Sequence, residues 1–196
     1  ALKSQQQSAR TINRKLSSLR SYYKFMVRTQ QLTTNPMEEH LPLKTAKTLQ
    51  VPYSQDEIRQ LLNPERFPDS YEGCLQFTII ALLYYTGIRR QELIDITPEG
   101  VAADKRSLKV LGKRNKERII PVVKELESYL KAYEGAREKV SLGRSTNYLT
   151  SLKGEKLTEK FVYDTVNFYL KGVTTKTKKS PHVLRHSFAT HLLDNG

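Results

Sequence analysis

The segment Tyr71–Tyr85 constrains this chain more than any other. Its charged side chains reduce to Glu72, its apolar residues dominate, and Gly87 follows at a position suited to a left-handed cap. Such a segment reads as a helix buried in a core rather than one lying on a surface. With 196 residues the chain is long enough to bury it, and disorder is not the leading expectation although only 38% of residues are hydrophobic. The longest apolar run, Thr78–Tyr85, is far short of the roughly 20 residues that span a bilayer. The N-terminus has no apolar stretch of the signal-peptide kind. These features point to a soluble, non-secreted, cytoplasmic chain with no membrane partner. The single cysteine, Cys74, cannot form an internal disulfide, which fits a reducing compartment and excludes cysteine-based zinc clusters.

The formal net charge is +13, which at this size suggests a polyanion as partner, nucleic acid ahead of an acidic membrane surface. The charge is segregated along the chain. Residues 1–50 carry nine bases and two acids, 51–104 four bases and nine acids, and 105–118 seven bases and one acid. Two basic blocks therefore flank an acidic one.

In the first block, Ile12, Leu16, Leu19, Tyr23 and Met26 recur at helical spacing and predict a helix from Ser8 to Gln30. Arg10, Arg14, Arg20, Lys24 and Arg28 fall on its opposite side with no acid between them. That stripe is either a solvated face or a helix laid against a phosphate backbone. Asn35-Pro36 and Leu41-Pro42 break regularity, and Lys44 to Pro52, with Lys44 and Lys47, reads as an extended basic linker. Ser54 with Glu57 gives a capping-box signal for a following helix. A short helix is expected over Arg89–Ile96, a hairpin from Ser107–Leu111 and Arg118–Val122 around a basic tip, and helices over Val123–Val140 and Thr158–Leu170. Ser180-Pro181 opens a last helix through Leu193. The fold class is mainly α with a small antiparallel β-sheet. No internal repeat is present.

Several of these positions suit phosphodiester chemistry. A phosphorane-like transition state gathers charge on its non-bridging oxygens, and planar guanidinium donors match it. Arg89 and Arg185 form the obvious pair. Arg89 lies at a helix start, where backbone N–H groups also favour an anion, and Glu92, three residues on, suits holding its guanidinium. His182 and Arg185, spaced i, i+3, can face one phosphate, and Lys113 on the hairpin tip suits protonating a leaving oxygen. Arg114, Lys116 and Arg118 are open between phosphate contacts and solvated charges. His182, His186 and His191 are open between satisfied helix histidines and metal ligands, but no glutamate between His182 and His186 supplies a hydrolytic base. No metal site is assigned. Composition and spacing alone stop at a basic, mostly helical DNA-binding protein with a phosphate-clamping site.

Three ordered motifs go further. Tyr85-Thr86-Gly87-Ile88-Arg89-Arg90-Gln91-Glu92-Leu93, then Gly112-Lys113-Arg114-Asn115-Lys116-Glu117-Arg118-Ile119-Ile120-Pro121, then Ser180-Pro181-His182-Val183-Leu184-Arg185-His186-Ser187-Phe188-Ala189-Thr190-His191 closely resemble the tyrosine recombinase (phage integrase) family, its Xer-like branch in particular. The resemblance implies a recombinase catalytic domain over residues 54–196, a linker over 41–53, and the C-terminal part of a helical, SAM-like core-binding domain over 1–40. It implies Arg89 and Arg185 as the catalytic arginines, Lys113 as general acid for the 5′-hydroxyl, His182 as proton-transfer assistant and Glu92 as support for Arg89. Arg10, Arg14, Arg20, Lys24, Arg28, Lys44, Lys47, Arg114 and Lys116 are the expected DNA contacts. The family reaction is a transesterification through a 3′-phosphotyrosyl intermediate with no metal or nucleotide cofactor. The expected partners are double-stranded DNA and, at full length, a homotetramer or related recombinase subunits, at the nucleoid. The family's nucleophilic tyrosine follows the last motif, whereas the last tyrosine here is Tyr169, so none is assigned. The reading is of a fragment shortened at both ends that binds DNA without cleaving it. The competing reading is a non-catalytic DNA-binding regulator of the same fold.

Overall fold

The computed structural model describes residues 7–45, 51–112, 116–140 and 145–194. The chain divides into two compact units, Ala1–Leu49 and Gln50–Gly196.

In the first unit, helix α1 spans Ala9–Arg28, with Ser8 as N-cap accepting from the Thr11 N–H. Ile12 is its buried residue, while Leu19, Tyr22 and Phe25 are exposed. The chain then returns along α1: Asn13 donates to the Leu43 carbonyl and accepts from the Leu43 N–H, both at 2.8 Å.

The second unit is built around α3, Tyr71–Thr86. Most of this helix is buried, with Leu75, Ile79, Ile80, Leu82 and Leu83 at most 1% exposed, and each such side chain contributes about 1.5–3 kcal/mol by leaving water. Helices α5 (Lys124–Lys139), α6 (Glu159–Lys171) and α7 (Pro181–Asp194) pack on it, together with the short α4 (Arg90–Ile94). The Tyr71 hydroxyl of α3 stands 3.1 Å from the Tyr133 hydroxyl of α5 and donates to the Thr150 carbonyl at 2.9 Å. Tyr148, in a segment whose sequence defines no element, is buried in an irregular stretch against α5, where its carbonyl accepts from Tyr133 and Arg137. Helix α2, Gln55–Leu61, carries the expected capping box. Ser54 N–H donates to Glu57 Oε2 at 2.7 Å and Glu57 N–H to Ser54 Oγ at 3.2 Å.

Strands β1 (Ser107–Leu111) and β2 (Glu117–Pro121) pair antiparallel in a register from Ser107↔Pro121 to Leu111↔Glu117. The second strand therefore begins and ends one residue earlier than expected. Val122 lies one residue past the last pair, although its N–H still reaches the Arg106 carbonyl in the same register at 2.9 Å. Alternation along the strands buries Leu108 and Val110, and turns Arg118 and Ile120 inward while Glu117 and Ile119 stay exposed. Gly112 N–H closes the base of the hairpin on the Lys116 carbonyl at 2.7 Å.

Candidate active site

Three chain segments bring the site together. Helix α3 ends on Gly87, which adopts φ +56°, and a side chain there would also collide with the Phe188 ring of α7, 2.4 Å from where a Cβ would stand. Glycine is thus required both for the left-handed turn and for close packing. Ile88 is fully buried just beyond and anchors the turn. Arg89 follows as N-cap of α4 in an extended conformation, with its side chain 55% exposed.

Glu92 organises the charge. It is 4% exposed, and Oε1 accepts from Arg89 Nη1 at 2.7 Å while Oε2 accepts from the Arg89 backbone N–H at 2.8 Å. That N–H is therefore committed to Glu92 and is not among the helix-start N–H groups left for an anion. Arg118 reaches the same carboxylate with both ends of its fork, at 2.9 and 2.7 Å. Burial pushes the Glu92 carboxyl up, but the Arg118 fork and the Arg89 N–H and guanidinium outweigh it and hold the group down at about 2. The hydrogen bonds to Glu92 in turn raise Arg118 above its ordinary value.

Helix α7 supplies the other side. Ser180 caps its first turn, with Oγ accepting from the Val183 N–H at 3.4 Å. Arg185, one turn in, is half-buried and donates to the Gly87 carbonyl. Burial and the neighbouring Arg89 charge lower its pKa, with Glu92 acting in the opposite sense; a guanidinium stays charged all the same. His182 is exposed. A cleft of about 320 Å³ is lined by Ile88, Arg89, Arg90, Tyr163, Ser180, Pro181, His182 and Arg185. A second, of about 470 Å³, is lined by Thr86, Gly87, Arg118, Ile120, His182, Arg185, His186, Phe188 and Ala189. Arg185 and His182 border both. Three guanidiniums around one carboxylate leave two positive charges in excess, so the clefts suit a doubly charged phosphorus centre with its non-bridging oxygens on the arginines.

The structure thus brings Arg89, Glu92, His182 and Arg185 together. Lys113 and Arg114 lie outside the described residues, as does Lys47. Lys116 and Lys44 are exposed. In the first unit Arg10, Arg14, Lys24 and Arg28 are exposed along α1, but Arg20 turns to the returning chain, where Nε donates to the Met37 carbonyl at 3.3 Å and Nη2 to that of His40. Arg28 lies over the Phe25 ring at 5.7 Å. Of the histidines that spacing leaves open, His191 is buried with Nδ1 3.1 Å from the Tyr84 hydroxyl, and His186 is 3.3 Å from the Thr190 hydroxyl of its own helix. No group of three or more His, Cys, Asp or Glu that could hold a metal ion stands together among the described residues.

Sequence reasoning misses two residues of the site. For Arg118 it leaves phosphate contact and solvated charge open, yet the fork belongs to Glu92. The available signal is the strand alternation, which puts Arg118 on the same face as the inward Ile120. Tyr163, on α6 and 41% exposed, lines the smaller cleft with the arginines and has no motif to mark it.

Residues 53–196 match the phage integrase family, and residues 1–30 match the phage integrase N-terminal SAM-like domain. The chain belongs to the phage integrase family. Among its relatives, tyrosine recombinase XerD of Shewanella oneidensis is 32% identical over 201 residues that take in 100% of this chain and 66% of that protein. Tyrosine recombinase XerC of Staphylococcus epidermidis is 33% identical over 195 residues, again 100% of this chain and 66% of the relative. The chain therefore spans about two-thirds of the length of these relatives. In fold it is similar to the XerA recombinase, with a TM-score of 0.65 and 22% identity over 98% of this chain and 65% of that one. It is also similar to the Tn1549 transposon integrase in complex with transposon right end DNA, with a TM-score of 0.78 and 20% identity over 100% of this chain and 70% of that one.

Proposed function

We propose that these residues belong to a Xer-like site-specific DNA recombinase, which cuts and rejoins strands through a 3′-phosphotyrosyl intermediate. The observation that carries the reading is the convergence of Arg89, Arg185 and His182 on one cleft with two positive charges uncompensated by Glu92. A site built only to hold DNA has no need of two guanidiniums aimed at a single phosphate. In this reading Arg89 and Arg185 take the non-bridging oxygens of the scissile phosphate. As a tyrosine oxygen bonds to phosphorus and the P–O5′ bond breaks, they stabilise the charge that develops. His182 assists proton transfer at the attacking hydroxyl, and Lys113 protonates the departing O5′. Glu92 supports Arg89.

Residues 1–40 act as the C-terminal part of a helical core-binding domain, 41–53 as a linker and 54–196 as the catalytic domain. Arg10, Arg14, Lys24, Arg28, Lys44, Lys47, Arg114 and Lys116 contact the backbone of double-stranded DNA, and their exposure or chain position on the basic blocks supports this. Arg20 is left out because two of its N–H groups hold the Met37 and His40 carbonyls, which ties its guanidinium to the returning chain. Recombination proceeds in a homotetramer, or with related subunits, on DNA at the nucleoid.

The test is a suicide substrate nicked beside the scissile phosphate, incubated with the full-length gene product. Trapped covalent adduct is expected, and Arg185→Ala should lower it by at least about a hundredfold while DNA affinity changes by less than about tenfold. No adduct from the wild type, or an undiminished adduct from Arg185→Ala, overturns the reading.

A further inference from the structure

The four acceptor positions of Glu92 are all taken, two by Arg118 and two by Arg89, but the two side chains contribute unequally. Arg118 donates through two guanidinium nitrogens, one to each oxygen, at 2.9 and 2.7 Å. Arg89 donates through one guanidinium nitrogen at 2.7 Å and through its backbone N–H at 2.8 Å. A carboxylate offers about four lone-pair sites and a guanidinium about five N–H groups. Arg89 therefore spends one side-chain N–H on Glu92 and keeps the others, on a side chain 55% exposed against 38% for Arg118. Gly112 makes room for this arrangement. A Cβ there would stand 3.2 Å from Arg118 Nη1 and 3.8 Å from Glu92 Oε1.

We propose that Arg118 is a positioning residue for phosphate recognition: by filling one side of Glu92 with its fork, it holds Arg89 to a single side-chain contact and leaves the remaining Arg89 donors to the scissile phosphate. This deepens the recombinase reading and rests on it. When the fork is removed, two acceptor positions of a buried carboxylate lose their donors, a costly state. The nearest donors able to fill them are those of Arg89, whose guanidinium closes on Glu92 in a bidentate pair. The excess charge of the cluster falls from two to one in the same step. Arg118 thus acts through Glu92 and Arg89 without touching the phosphate.

The experiment measures DNA affinity and strand cleavage by the full-length gene product carrying Arg118→Met, on the ordinary nicked substrate and on one with a methylphosphonate at the scissile position. The methyl group removes the phosphate charge that Arg89 serves. Arg118→Met should bind within about threefold of wild type, cleave the ordinary substrate at least about tenfold more slowly, and differ from wild type by less than about threefold on the methylphosphonate. Arg118→Lys, which keeps the charge and loses the fork, should fall between. Adding Arg118→Met to Glu92→Gln should slow cleavage no further than Glu92→Gln alone.

A wild-type rate from Arg118→Met, or a defect that persists on the methylphosphonate or adds to Glu92→Gln, overturns the role. So does an affinity loss above about tenfold with a salt slope lowered by about one, which marks a direct phosphate contact. Loss of fold and DNA binding in both Arg118 variants marks a purely structural role and also overturns it. A wild type that binds DNA and cleaves neither substrate fails the recombinase reading itself, whereas a cleaving wild type with an unaffected Arg118→Met fails this role alone.

Discussion

Glu92 makes folding sensitive to acid at the heart of the site. Burial raises its carboxyl, the arginine hydrogen bonds lower it more, and the group falls from an ordinary 4.5 to about 2. A folded value below the unfolded one means that the stabilisation is fully present above the unfolded value, and that it is lost as pH falls through the folded one. The shift corresponds to about 3 kcal/mol. Glu57, also held down at about 2 through Lys176, Thr174 and the Ser54 N–H against its burial, loses its contribution in the same window. Urea unfolding at pH 7 should find Glu92→Gln less stable than wild type, and the gap should narrow steadily from about pH 4.5 toward pH 2, where wild-type Glu92 is itself becoming neutral. A gap independent of pH would remove the charge of Glu92 as its source. At this scale the motif wording locates Arg89, Glu92, His182 and Arg185, because each lies within a few residues of a glycine or proline that fixes the local backbone. It does not separate Arg118 from the bases around it. A strand residue's partner is set by register, and Arg118 pairs with Glu92 across 26 positions of sequence.

The elements follow the same division. The largely apolar α3 and the amphipathic periodicity of α1 are legible, and α1, α5 and α6 end within two residues of their expected limits, since caps and hydrophobic spacing are local. The irregular stretch around Tyr148 is not legible, because its shape comes from the hydroxyl network of Tyr71, Tyr133 and Thr150 rather than from its own sequence. Helix α1 demonstrates how a uniform stripe of bases divides once folded. Arg14 and Lys24 are exposed, whereas Arg20 holds the Met37 and His40 carbonyls. Arg14→Gln with Lys24→Gln should therefore lower DNA affinity and flatten its dependence on log salt by about one unit for each phosphate no longer neutralised, with thermal stability unchanged. Arg20→Gln should lower thermal stability and leave the slope alone. Fluorescence anisotropy over a salt series, paired with melting curves, distinguishes the two, and an unchanged slope in the first variant takes α1 off the DNA.

Across the whole second unit, its opening segment is fastened to the helix that carries His182 and Arg185. Tyr53 N–H donates to Ser187 Oγ of α7 at 2.8 Å, and its hydroxyl donates to the Lys178 carbonyl at 3.0 Å. Lys176 completes the fastening. Its ammonium donates to the Pro52 carbonyl at 2.8 Å and to Glu57 Oε2 at 2.6 Å, and lies 5.6 Å from the centre of the Tyr53 ring. These hydrogen bonds span 119 to 134 residues of sequence, so periodicity and motif reading give no sign of them. Lys176 is 29% exposed and Glu57 19%, which spares the pair much of the solvent screening felt by Lys160 and Asp164, 84% and 54% exposed on α6. Lys176→Met leaves Glu57 and the Pro52 carbonyl short of a donor and should cost about 1–3 kcal/mol, whereas Lys160→Met should stay within about 0.5 kcal/mol of wild type. Because the Lys176 ammonium holds the segment leading into α7, its removal should quicken hydrogen exchange first in the amides of Val183–Ser187, ahead of α3. Equal destabilisation by the two variants, or faster exchange in α3 than in α7, would show that the fastening does not support the helix bearing the second arginine.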